Sequence, residues 1–413
     1  MRVVKAALLG YGQVGQAMTT LAARPDIRAC LRRARIDLRW VSAFVRDVEK
    51  PRAGPIVPLT TIASRAIDAD VVVELLGGME PARSLVQAAL LARVPVVTAN
   101  KTLIARHGAE LRALADRQRT RLACDAAVLA GVPFLGSLAR RPIVASARRI
   151  AGILNGTSHV ITTAMERGAT LACAFDRARR LGYAEADSTA DTSGRDAAEK
   201  LAILLHTGGT ADVAPDDFPH LPLDVLSREL MTGARRLGGA IKPVVLAHLD
   251  LPGAGAWVGP AFVPLDHPLA RLDGVANILQ LTTIAGDVVT FAGPGAGPDA
   301  TALTVLDDVI EVVTQKGGRR EPRPVSRTQT DVTRALRTPP ACGWLLEIRH
   351  ERERDPRVVA RRLSALSVPP LQICVHAGAV IARTIPAPWP VVDRVLHSLR
   401  AAGSTVVALP CPL

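Results

Sequence analysis

Val3-Val4-Lys5-Ala6-Ala7-Leu8-Leu9-Gly10-Tyr11-Gly12-Gln13-Val14-Gly15 decides the fold. The apolar run Val3–Leu9 reads as a buried strand, and three spaced glycines follow it at once. In a strand–turn–helix unit the first glycine makes the tight turn. The second lets backbone approach a diphosphate, and the third lets helix and strand pack closely. The helix behind Gly10-Tyr11-Gly12-Gln13-Val14-Gly15 then points its N-terminus at an anion, which is a dinucleotide site. A glycine-rich turn without a ligand is the plainer alternative. The helical pattern stops at Arg24-Pro25. Further strands are expected at Leu38–Val45, Asp70–Leu76 and Val94–Val97. Strands separated by helical stretches imply a doubly wound, mostly parallel α/β sheet.

In such a sheet, ligands collect at the C-terminal ends of the strands. The second strand ends at Arg46-Asp47. Arg46 would suit the 2′-phosphate of NADP, with NAD the alternative, and an exposed Arg–Asp pair is the reading without a ligand. Gly77-Gly78 and Thr98-Ala99-Asn100-Lys101 stand just past the third and fourth strands. Lys101 draws attention because lysine is rare here. Six of the 51 basic residues are lysine, so 45 are arginine. Where only positive charge is needed, this chain uses Arg.

At 413 residues the chain is long enough for two or three domains at roughly 150 residues each. The 48% hydrophobic and 22% charged residues exclude a disordered or fibrous chain. The net charge of +13 raises nucleic-acid binding. The basic residues are scattered, however, and 3% aromatics are too few for a stacking platform, so no nucleic-acid partner is expected. No apolar run reaches the ~18 residues of a membrane span. The start leaves no room for a signal peptide before the first strand, so the expectation is a cytoplasmic protein without a membrane partner. The six cysteines form no CxxC or Cys/His cluster, which argues against zinc and against a disulfide framework.

From about residue 145 the segments lengthen into an α+β pattern. Its densest signal is the block from Gly182 to Leu201, which contains Glu185, Asp191, Asp196 and Lys200. A helix starting near Ser193 puts Asp196 and Lys200 four positions apart on one face. Glu185 and Asp191 fall in the loop leading in. A partly desolvated lysine can exchange a proton near working pH where arginine cannot, and carboxylates suit a substrate ammonium. An acidic loop before an ordinary surface salt bridge is the plainer reading. Asn155-Gly156-Thr157, after the strand-like Ile150–Leu154, and Gly293-Pro294-Gly295-Ala296-Gly297 are glycine-rich loops that permit close backbone approach. Thr301–Val313 reads as a helix packing back on the first domain. Lys316 to about Asp331 reads as a Gly-, Pro- and Arg-rich linker. The last eighty residues read βαββαβ, the ferredoxin-like order.

Taken together these motifs resemble homoserine dehydrogenase. The likeness rests on the glycine turn, Glu74–Gly78 (ELLGG), Thr98–Lys101 (TANK), 125–133 (DAAVLAGVP), 152–157 (GILNGT), the acidic block through Lys200, and 293–297 (GPGAG). The resemblance implies NADP- or NAD-dependent interconversion of L-homoserine and L-aspartate 4-semialdehyde, in threonine and methionine biosynthesis. It implies that Lys200 exchanges the proton, Lys101 assists and Asp196 positions Lys200. Glu185 and Asp191 would bind the substrate amino group, with Asn155, Gly156 and Thr157 lining its site. Gly10, Gly12, Gln13, Val14, Gly15, Arg46, Gly77, Gly78, Thr98, Asn100, Lys101 and Gly297 would contact the cofactor. A monovalent cation such as Na⁺ would sit on Asp125 and the carbonyls of Val128, Ala130 and Val132, with Asp125 one methylene shorter than the family's Glu. The organisation implied is a dinucleotide-binding domain at 1–135 with a return helix at 301–315. A substrate-binding and dimerisation domain follows at 136–300, then a linker at 316–335 and a divergent ACT-like domain at 336–413, in a homodimer.

Overall fold

The computed structural model describes residues 1–53, 57–132, 147–184, 188–207, 211–314, 327–350 and 354–412. The first sheet contains β1 (Arg2–Leu9), β2 (Ile36–Phe44), β3 (Leu59–Thr60), β4 (Val71–Glu74), β5 (Val96–Thr98) and β6 (Leu122–Ala123). Its order is β3-β2-β1-β4-β5-β6, with every pair parallel. The strand order therefore reverses beside β1, and the turns after β1, β4 and β5 open on one edge. Ala6–Leu9 and Val71–Val73 are fully buried, as a sheet covered on both faces requires. Helix Gln13–Ala23 covers one face and packs against helix Pro298–Thr314 through a core that includes Met18, Leu21, Ala302, Val305 and Val309.

The second sheet has the order β11-β10-β7-β8-β9, built from β7 (Ala147–Ile153), β8 (Gly239–His248), β9 (Gly255–Pro264), β10 (Ala276–Thr283) and β11 (Val288–Pro294). Its β7, β8, β9 and β10 pair antiparallel. Helices Gly156–Glu166 and Arg228–Arg236 pack on β8. The third sheet is β12 (Gly343–Arg349), β13 (Pro370–His376), β14 (Ala379–Thr384) and β15 (Thr405–Cys411). Its antiparallel order β13-β14-β12-β15, with helices Pro356–Ala365 and Trp389–Ala401 in the crossovers, is the ferredoxin-like arrangement expected from the sequence.

Alternation along this third sheet separates two cores. Trp344, Leu346, Ile348, Val380 and Ala382 pack with its own helices. Leu345, Ala379, Ile381 and Leu409 share a core with Leu230, Met231, Ile241 and Phe262. Contacts divide the chain into two compact units. One is Met1–Pro142, Glu199–Ala214 and Gly293–Pro324; the other is Ile143–Ala198, Pro215–Ala292 and Val325–Leu413. The division falls inside helix Arg195–Thr207.

Some local expectations differ from what forms. Pro25 ends the first helix but also opens a second, Pro25–Arg33, because proline is tolerated at a first helical position. Asp191 lies in the one-turn helix Thr189–Thr192 rather than in a loop, and the following helix starts at Arg195, past Gly194 at φ +85°. Helix Arg327–Ala335 occupies the end of the stretch read as linker, whose earlier part lies outside the described residues.

Candidate active site

The glycines of the first turn do different jobs. A Cβ on Gly10 (φ +99°) would lie 2.7 Å from the Leu75 carbonyl oxygen, and one on Gly15 would lie 3.0 Å from the Gly10 carbonyl oxygen. Both are demanded by packing. A Cβ on Gly12 would meet nothing within 4 Å, and its φ of −85° suits any residue. Protein packing therefore leaves the bare backbone at Gly12 unexplained, whereas an approaching ligand explains it. Gly12 caps the helix carrying Gln13 and Val14 without a side-chain bond, so the N-terminus stays open to an anion. Arg46 is exposed at the tip of β2 and has no side-chain partner among the described residues. Gly297 (φ +121°) precedes helix Pro298–Thr314 and also has open space around it.

Next to this turn, the ends of β4 and β5 are tied by Glu74, which is fully buried. Its carboxylate accepts from the Thr98 hydroxyl, from the backbone N–H of Leu76 (2.8 Å) and Gly77 (3.3 Å), and from Asn100 Nδ2 (3.4 Å). Burial pushes its pKa up, against the pull of these four donors. Asn100 Nδ2 also donates to the Gly78 carbonyl at 2.6 Å, and Asn100 Oδ1 caps Leu103 N at 3.1 Å. Gly77 and Gly78 both need φ near +70°, which glycine adopts without strain. Helix Lys101–Arg117 thus starts from a fixed turn, with Lys101 as its first residue. Lys101 Nζ lies 3.7 Å from Glu199 Oε2.

Asn155 organises the carboxylates of the other unit. Its Nδ2 donates to Asp191 Oδ1 at 2.7 Å and to Asp196 Oδ2 at 2.9 Å. Its Oδ1 accepts from Ser158 N and Oγ, both at 2.7 Å, so the amide is locked as the cap of helix Gly156–Glu166. Thr157 Oγ1 donates to the Tyr183 carbonyl at 2.6 Å, and Gly156 lets Val275 approach closely. Glu185 lies outside the described residues. Lys200 stands one turn after Asp196 on helix Arg195–Thr207 and is 8% exposed. The run Ala198–Leu205 of that helix is buried on every side.

Two family models match the chain. The homoserine dehydrogenase NAD-binding domain covers residues 10–125, and the homoserine dehydrogenase domain covers 133–310. The homoserine dehydrogenase of Synechocystis sp. is 37% identical over 320 residues, 75% of this chain and 73% of that one. That of Corynebacterium glutamicum is 37% identical over 326 residues, 76% and 73% of the two chains. The chain belongs to the homoserine dehydrogenase family. Among solved structures, a homoserine dehydrogenase from Thiobacillus denitrificans matches with TM-score 0.87 and 30% identity, over 100% of this chain and 98% of that one. A hyperthermophilic archaeal homoserine dehydrogenase in complex with NADPH shares the fold, with TM-score 0.61 and 22% identity over 76% of this chain and 98% of that one. Membership makes this chain a nicotinamide-dependent oxidoreductase of a CH–OH group, interconverting L-homoserine and L-aspartate 4-semialdehyde.

For a homoserine dehydrogenase, two of the acids here were not singled out from sequence. Glu74 ends an apolar strand, VVVE, where a buried acid needs several donors. Glu199 sits unremarked between Asp196 and Lys200. The loop carrying Asp125, Val128, Ala130 and Val132 is buried. Asp125 N donates to Asp308 Oδ2 at 3.0 Å, and the Thr304 hydroxyl donates to the Ala130 carbonyl. Burial, and then the charge of Asp125, push the Asp308 carboxyl well up.

Proposed function

We propose that Lys200 is the acid/base of the homoserine dehydrogenase reaction in this chain. It accepts the hydroxyl proton as homoserine is oxidised and returns it to the aldehyde oxygen in reduction. The bound nicotinamide supplies the hydride acceptor or donor. Asp196 positions Lys200, and Asp191 with Glu185 binds the substrate ammonium. The observation that carries this reading is the Asn155 amide held between Asp191 and Asp196, which fixes two carboxylates near one point. Gly156 and Thr157 shape the same wall. Lys101 orients the reacting oxygen.

The NADP reading rests on Arg46, an exposed cation at the strand tip where a 2′-phosphate would lie, with NAD as the alternative. Gly10, Gly12, Gln13, Val14 and Gly15 would hold the diphosphate, and Gly77, Gly78, Thr98, Asn100 and Gly297 the rest of the cofactor. Asp125 and the carbonyls of Val128, Ala130 and Val132 would take a monovalent cation such as Na⁺, since the donor set is all hard oxygen. The Thr304 hydroxyl then shares the Ala130 carbonyl. Residues 336–413 act as an ACT-like domain. The protein works in the cytoplasm as a homodimer, in threonine and methionine biosynthesis.

The test follows absorbance at 340 nm with L-homoserine and NADP⁺ or NAD⁺ in turn. Turnover faster with NADP⁺ is expected. Folded, cofactor-binding protein that leaves homoserine untouched would overturn the assignment, and a preference for NAD⁺ would overturn the role of Arg46.

A further inference from the structure

We propose that Glu199 is the positioning residue for Lys101, holding the lysine ammonium in place for the reaction. This rests on the role given to Lys101 above. The Lys101 side chain is 27% exposed and that of Glu199 only 6%. A carboxylate so far removed from water needs charged or hydrogen-bonding partners. Glu199 finds two on one oxygen. Oε2 accepts from the Thr102 hydroxyl at 3.2 Å and lies 3.7 Å from Lys101 Nζ. Both partners come from the first turn of helix Lys101–Arg117, where the helix dipole also favours an anion.

Lys101 is therefore fixed at both ends. Its backbone follows the Asn100 cap, which Glu74 and Gly78 anchor. Its flexible four-carbon arm ends beside a buried carboxylate that is itself held by a rigid helix. A long side chain pinned this way loses little freedom at the transition state. Glu199 touches no reacting atom in this scheme. It acts only through Lys101.

A double-mutant cycle separates this role from a merely structural one. Steady-state kinetics with L-homoserine are measured for wild type, Lys101→Ala, Glu199→Gln and the double variant, each checked for folding by its thermal midpoint. Glu199→Gln keeps the size of the side chain and removes the charge. It is expected to lower kcat/KM about tenfold, and to change nothing further once Lys101 is alanine. Glu199→Asp, which keeps the charge but draws the carboxylate back by one methylene, is expected to fall between. An equal loss from Glu199→Gln in both backgrounds would show that Glu199 acts independently of Lys101 and overturn the proposal. So would a crippled Lys101→Ala beside a fully active Glu199→Gln. A fully active Lys101→Ala would instead remove the role of Lys101 itself.

Discussion

At the scale of the residue, the site depends on which atoms are left for a ligand once packing has been satisfied. Gly10 and Gly15 are spent on backbone approach, and Gly12 is not. Thr157 is spent on the Tyr183 carbonyl, while Asn155 serves two carboxylates at once. Lys200 is buried on a helix that carries Asp196 one turn earlier. Replacing it separates charge from proton exchange. Lys200→Arg keeps the charge but cannot give up a proton near neutral pH, so it should lose kcat as Lys200→Ala does, by at least ~10². Cofactor affinity, read by NADPH fluorescence, should hold in both. Normal turnover by the Lys200→Arg variant would leave Lys200 an electrostatic role only.

At the scale of the element, helix Gly156–Glu166 shows how a buried helix carries both the Asn155 cap and a titratable liability. Ser158–Met165 are all buried, His159 completely. The His159 ring contacts the Leu272 carbonyl through Nε2 at 3.1 Å, and Nδ1 has no partner among the described residues. Burial first, and then the nearby Lys242 ammonium, lower its pKa from 6.5 to about 4. The unfolded chain therefore binds a proton between about pH 6.5 and pH 4 that the folded chain refuses. Stability is full above pH 6.5, falls as pH drops toward 4, and levels off below. One such group is worth about 3 kcal/mol across that window. Urea unfolding at pH 7 and pH 4.5 should show a smaller difference for His159→Asn than for wild type; an unchanged difference would clear His159. The long elements were legible because each strand is a mostly apolar run between turn residues, as in β1, where only Lys5 interrupts, and in β12 and β14. The two-residue strands β3 and β6 carry no period at all, and they form only because β2 and β5 offer them an open edge.

At the scale of the whole molecule, the last eighty residues read as a self-contained unit, and their βαββαβ order forms. What they pack against was not legible. One face of the third sheet shares a core with Leu230, Ile241 and Phe262, and a Cβ on Gly233 would come within 2.6 Å of the Ile381 side chain. Trp344 stands between Trp257 (6.4 Å, edge-on) and Trp389 (5.2 Å), joining strand β9 to helix Trp389–Ala401. Ending the chain at Arg337 would expose this apolar face. The shortened protein should aggregate or unfold at a markedly lower temperature, as buried side chains worth roughly 1.5–3 kcal/mol each lose their cover. Thermal unfolding and light scattering check this. An unchanged midpoint would make the third sheet a dispensable appendage.

By itself the sequence determined the order of the longer elements, the parallel class of the first sheet, the βαββαβ order of the last eighty residues, the glycine turn and the residue types of the acidic block. These are local matters, set by period, by backbone freedom and by which side chains can carry a proton. The tertiary structure decided the partners. That Asn155 joins Asp191 to Asp196 across 36 and 41 positions, that Glu74 gathers the turns after β4 and β5, and that Glu199 reaches Lys101 are contacts between residues far apart in the chain. No local pattern encodes them, because they arise only when separate elements are packed and their buried polar groups must find donors and acceptors.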